Sequence, residues 1–241
     1  MPALLTALLL VFGAAQALGL AGTWFHTRGL SPERRRALHG KFAVYALITA
    51  LTLPASASRP SLVLLAGLVV ALGSWEIASV HAGRPARQAL GLLVFAPLAA
   101  AFLHFALRTP TDLALMTCAG VAALDGFSQV AGQCFGHTPL APRLSPAKTV
   151  EGSIGGVLIT LLLLGLLARL SGAAMPMPLL FAAMLAAIGG DLLASACKRL
   201  AGVKDFSGLI PFHGGVLDRF DSLVAAGAMV ALAGPSGWMP W

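Results

Sequence analysis

Between Ser195 and Asp221 the sequence gathers four cations (Lys198, Arg199, Lys204 and Arg219), three carboxylates (Asp205, Asp218 and Asp221), the Ser195 hydroxyl and a His213-Gly214-Gly215 turn, in a chain only 10% charged. Guanidinium and ammonium groups neutralise phosphate oxygens, and Arg199 can hold them bidentately where a lysine cannot. Carboxylates suit Mg²⁺, which commonly joins acidic side chains to phosphate. A His before two glycines can donate to a phosphate while backbone N–H groups approach closely. Asp191, Ser195 and Lys198 are spaced i, i+4, i+7, so they share one helical face with Arg199 adjacent, and Asp218 and Asp221 share another. Asp191, Asp218 and Asp221 are therefore the candidate metal ligands, and the whole block suits a nucleoside triphosphate bridged by metal.

A second block lies upstream. Asp125 precedes Gly132 and Phe135-Gly136, then the run Leu140-Ala-Pro-Arg143-Leu-Ser145-Pro-Ala-Lys148-Thr149-Val-Glu151-Gly152. Ser145, Thr149 and Lys148 can grip phosphate, with Glu151 orienting Lys148. His26, His39, His81, His104 and His137 show no ligand spacing and read as structural.

The elements that must position these groups are membrane helices. The chain is 58% hydrophobic with mean hydropathy +0.86, well above soluble domains. Apolar runs recur near residues 3–22, 42–57, 62–81, 89–107, 113–134, 153–170, 178–196 and 220–236. Segments of about 20 apolar residues cross a bilayer as helices, because unpaired backbone groups are excluded from lipid. The expected architecture is all-α, one polytopic domain over 1–241 with eight spans and a polar cavity facing the cytoplasm, its motif-bearing half at about 113–236. Glu76, Asp125 and Asp191 fall within spans, where an ionisable group is costly and functional by default. Glu76, near an interface, can also simply reach water.

The net charge of +7 would suit nucleic acid were it not so one-sided: 13 of 16 cations follow the first, third, fifth and seventh spans. That is a topology signal, placing those loops in the cytoplasm and both termini outside. Arg34-Arg35-Arg36 reads as an orientation signal and anionic-lipid contact. The first span is expected to be retained, since its removal would leave an odd number of helices. Cys118, Cys134 and Cys197 lack CxxC spacing and read as small apolar residues.

The Ser195–Asp221 block resembles the signature of the phosphatidate cytidylyltransferase (CDP-diacylglycerol synthase) family, S-x-x-K-R-x4-K-D-x-[GS]-x2-[LI]-P-x-H-G-G-x-x-D-R-x-D, with Phe212 where Gly is usual. The upstream block resembles the family's Asp, FG turn and A-P-x-x-S-P-x-K-T-x-E-G-x-x-G-G run; Gly126-Phe127-Ser128-Gln129 departs from the commoner residues after the Asp. The resemblance implies transfer of a cytidylyl group from CTP to phosphatidic acid, giving CDP-diacylglycerol and pyrophosphate, with one or two Mg²⁺ ions. It implies catalytic roles for Asp218, Lys198, Arg199, Arg219 and Asp191. Substrate binding would fall to Ser145, Lys148, Thr149, Ser195, Lys204, His213, Gly214, Gly215 and Asp125. The implied partners are CTP, phosphatidic acid and the lipid bilayer, with room for a homodimer and no nucleic acid. The implied location is a bacterial inner membrane. A related CTP-dependent enzyme on another lipid is the nearest alternative. A transporter is the more distant one, since a carrier needs midplane groups reached from both faces.

Overall fold

The computed structural model describes residues 2–29, 31–172 and 174–234. Eight helices follow one another: α1 (Pro2–Thr27), α2 (Pro32–Ser56), α3 (Arg59–Val80), α4 (Pro85–Arg108), α5 (Thr111–Phe135), α6 (Val150–Ser171), α7 (Met177–Ala201) and α8 (Leu217–Ala233). Each falls on an expected apolar run; the last two residues expected in the eighth lie outside the described residues. Prolines in the first turn start α2, α3, α4 and α7, where a missing N–H costs nothing. The Ser58 and Thr149 hydroxyls cap α3 and α6, while Gly172 and Gly202 end α6 and α7 with left-handed backbone.

Two features differ from the expectation. Helix α2 begins at Pro32, ten residues before the apolar run at 42, and so carries Arg34, Arg35 and Arg36 inside it. Arginine is a good helix former, and Pro32 with Glu33 makes a favourable first turn. Nor is the bundle purely helical: β1 (Pro139–Ala141) pairs antiparallel with β2 (Ser145–Thr149), Pro139 opposite Thr149 and Ala141 opposite Ser145. Pro139, Pro142 and Pro146 forbid a helix there, and the strands pair their backbone instead.

Among the described residues six helices, α2 to α7, are long and apolar enough to cross a membrane. Helix α8 has 17 residues, short of that length, and is the central helix: thirteen of its residues are buried against α7, α4, α5 and α3. Phe102 and Phe105 of α4 are fully buried with ring centroids 6.0 Å apart, and a Cβ at Gly227 of α8 would fall 2.6 Å from the Phe102 ring. Helices α5 and α6 approach as closely; a Cβ at Gly152 would come within 2.8 Å of the Ser128 carbonyl oxygen. Small residues at such crossings let backbones pack tightly, and this one fixes the base of the hairpin.

Candidate active site

The turn from α7 to α8 is built around two buried carboxylates. Asp218, in the first turn of α8, meets Lys198 of α7 with Oδ1 2.6 Å from Nζ, and these side chains are 0% and 10% exposed. Its Oδ2 accepts the Phe206 and Gly215 N–H groups, each at 2.8 Å. A desolvated ion pair of this kind holds only because further hydrogen bonds satisfy it. Glu76 of α3 is wholly buried: Oε1 accepts from the Ser207 hydroxyl at 2.6 Å and the Val216 N–H at 2.8 Å, and Oε2 accepts the Leu217 N–H at 2.7 Å. It thus caps α8 from another helix, placing negative charge at the positive end of the dipole. Gly214 has φ +83°, and a side chain at Gly215 would collide with the Glu76 carboxylate. Both glycines of the His-Gly-Gly turn are accordingly structural requirements, whatever their N–H groups bind.

The hairpin brings the upstream block to the same place. Thr149 accepts the Gly152 N–H at 3.1 Å, so its hydroxyl oxygen serves the α6 cap. Glu151 accepts from the backbone N–H groups of His137 and Thr138, orienting the hairpin's entry where Lys148 was the expected object. Lys148 forms an ion pair with Asp191 of α7 and lies within electrostatic reach of Asp125, Asp221, Lys198 and Arg219. Burial pushes the Lys148 ammonium below its ordinary range, Asp125 and Asp221 oppose that shift, and Lys198 and Arg219 add to it. The acidic groups therefore come from α5, α7 and α8, and the cations from β2, α7 and α8.

Other expected residues take different places. Arg199 is exposed, and its guanidinium donates to the Leu144 carbonyl at 3.4 Å and the Val203 carbonyl at 3.1 Å, tying the hairpin to the end of α7. Ser195 is buried in α7, Ser145 half-buried in β2, and Lys204 exposed in the turn. Arg219 is exposed. His213 is half-buried, and its pKa is held below the ordinary value first by that burial and then by Arg219. Asp125 is exposed in the second half of α5, and the Tyr45 hydroxyl of α2 donates to the Ala122 carbonyl one turn before it, at 3.0 Å.

Among the described residues no three His, Cys, Asp or Glu side chains converge as a ready metal nest. Asp218 has both oxygens engaged by protein donors. Asp221 is the contrast: Oδ1 accepts the Ser222 N–H at 2.7 Å, while the buried Oδ2 has no partner. An orphaned carboxylate oxygen beside Lys148 and Asp125 fits a hard cation that takes one or two carboxylates and completes its shell with phosphate.

Glu76 was the residue least legible beforehand, since its neighbours in sequence do not reveal that it folds onto residues more than 130 positions away. Arg84 and Arg87 were counted only among the topology cations; they donate to the Ala201 and Leu200 carbonyls at 3.4 and 2.9 Å and cap α7. Their signal was only that cations suit a helix C-terminus.

A phosphatidate cytidylyltransferase of Pseudomonas aeruginosa is 33% identical across 95% of this chain and 88% of its own length. One from Aquifex aeolicus is 34% identical over 66% of this chain and 59% of its own. The chloroplastic phosphatidate cytidylyltransferase 4 of Arabidopsis thaliana is 42% identical over 48% of this chain and 30% of its own. The model of the cytidylyltransferase family matches residues 6–234, and the chain, with its Lys198–Asp218 turn and its Lys148 hairpin, belongs to that family.

Proposed function

We propose that this membrane protein transfers a cytidylyl group from CTP to phosphatidic acid, releasing pyrophosphate and forming CDP-diacylglycerol. The observation that carries the reading is Lys148, paired with Asp191 and within electrostatic reach of Asp125, Asp221, Lys198 and Arg219, at one end of an apolar bundle. One substrate is a lipid phosphate confined to the interface and the other a soluble triphosphate, and a charged cleft at a helix-bundle end can receive both. An oxygen of the lipid phosphate attacks the α-phosphorus of CTP in line; the bond to the β-phosphate oxygen breaks, and pyrophosphate leaves with that electron pair. The attacking oxygen is already anionic, so no strong general base is needed. The work is positioning and charge neutralisation. Lys148 and Arg219 stand free of backbone duties to neutralise phosphates, whereas Asp218 positions: it fixes Lys198 and the Gly215 N–H.

Asp221, with Asp191 or Asp125, would hold Mg²⁺, which supplies further neutralisation of the triphosphate when bound. The excess of cations on this side supports an active site facing the cytoplasm, with eight crossings, α8 completing the bundle from within. The bacterial relatives support the inner membrane. Purified protein given labelled CTP and phosphatidic acid should yield a labelled lipid, lost on EDTA treatment and restored by Mg²⁺. No labelled lipid under any metal would overturn the assignment.

A further inference from the structure

On one flank of the bundle α4 and α7 each pack on α8. Between them lie two apolar hollows of about 340 and about 240 Å³. They share Leu98, Gly190 and Leu193, so they join into one furrow. Its floor is α8, from Leu217 in one hollow to Leu232 in the other, about 22 Å at the helical rise. The rim residues Val94 and Leu193 are 41% and 43% exposed, so the furrow opens sideways, toward lipid in a membrane-crossing bundle.

Charge is found at one end only. There the lining includes Arg87, Asp221 with its unpartnered oxygen, and Phe206, whose ring centroid lies 5.3 Å from the Lys198 ammonium. The other hollow is lined wholly by glycine, alanine, leucine and methionine. Glycine makes the space there: a Cβ at Gly189 would meet nothing within 4 Å. A long slot, apolar for most of its length and charged at the end that meets the catalytic cluster, matches an amphiphile with one charged end. A partner helix, about 10 Å across, matches it less well.

Resting on the function proposed above, we infer that this furrow seats one acyl chain of the lipid substrate along α8, with the lipid phosphate at the Arg87 and Lys198 end. Chain length is then read at the far end, around Gly189 and Leu232. The test compares dioleoyl with dioctanoyl phosphatidate, the shorter of which ends before the far hollow. In Gly189→Phe the ratio of kcat/KM for the long lipid to that for the short one should fall about tenfold, the loss of about two buried methylenes. Leu193→Trp, at the middle of the furrow, should lower the same ratio. Unchanged ratios in both folded variants overturn the inference. Phosphatidate carrying a photoreactive group at its chain end should label Met229 or Leu232 in the unaltered protein, a readout independent of any variant's folding. Labelling confined to other helices overturns it, as does efficient disulfide linkage of Gly189→Cys to a second copy, which would make the furrow an interface. Absence of turnover by the unaltered protein with either lipid would instead overturn the function on which the inference rests.

Discussion

The α7–α8 turn and the β1–β2 hairpin deliver charge to the same cleft but are fastened in opposite ways. The turn hangs on Asp218 and Glu76, buried carboxylates that together accept four backbone N–H groups, a hydroxyl and an ammonium. The hairpin hangs on its own antiparallel pairing, on Glu151 at its mouth and on the exposed Arg199. Buried polar networks are costly to break, because each lost partner strands another group out of water. Surface bonds are replaced by water at little cost. The turn therefore supplies fixed geometry, while the hairpin supplies a cation, Lys148, that can adjust to an arriving phosphate.

The largest test of that contrast is Asp218→Asn. It leaves Lys198 buried without its counter-charge, a loss on the order of 3–5 kcal/mol, and turnover of labelled CTP into lipid should vanish. A near-normal rate would mean the turn does not depend on its central ion pair. Glu76→Gln comes next. The amide keeps one acceptor oxygen for three donors, so thermal stability in detergent should fall by about 1–3 kcal/mol and kcat at least tenfold. Activity untouched at Glu76 would erase the difference between the two regions.

On the hairpin side, Lys148 offers a pH signature. Burial lowers its pKa, so its charge is present at low pH and is lost as pH rises through that lowered value, short of the ordinary lysine value of about 10.4. KM for CTP should therefore climb on the alkaline side, and Lys148→Arg, which stays charged, should flatten the climb. The smallest effect is expected at Arg199→Lys. Lysine can still reach one carbonyl, so kcat/KM should fall only about two- to fivefold, under ~1 kcal/mol. A loss of a hundredfold or more with charge conserved would return Arg199 to the phosphate, as its place in the signature suggests.

That last case shows what the sequence can and cannot carry. The eight helices were legible because apolar runs of membrane length have one stable backbone solution; Asp191 stood out as a candidate because charge in such a run must have a purpose, and Lys148 and Asp221 because they fall in the two charged motif blocks. The hairpin was not anticipated: its prolines argue against helix without specifying strand pairing. Arg199 was placed by helical spacing from Asp191, which fixes a direction from the axis but not the path of a long side chain toward two nearby carbonyls. Glu76 was left between a functional group and one that simply reaches water, because helical periodicity says nothing about a loop that returns to bury it.

Phe212 stands in the signature where glycine is usual, and it adopts φ +65°, a conformation that costs a non-glycine residue roughly 1–2 kcal/mol. Its ring lies against Gly40 of α2 so closely that a Cβ there would sit 2.8 Å from it. The histories of these two positions are consequently joined. Alanine at 40 would force the exposed Phe212 ring aside and would meet no such ring once 212 is glycine, so the order of substitution matters and each change is judged by the other's state. The N-terminal helices, which carry little of the family's signature, are in this way bound to its least typical residue, and a chimera exchanging the first two helices with a relative would have to satisfy that pair along with their packing on α5 and α6.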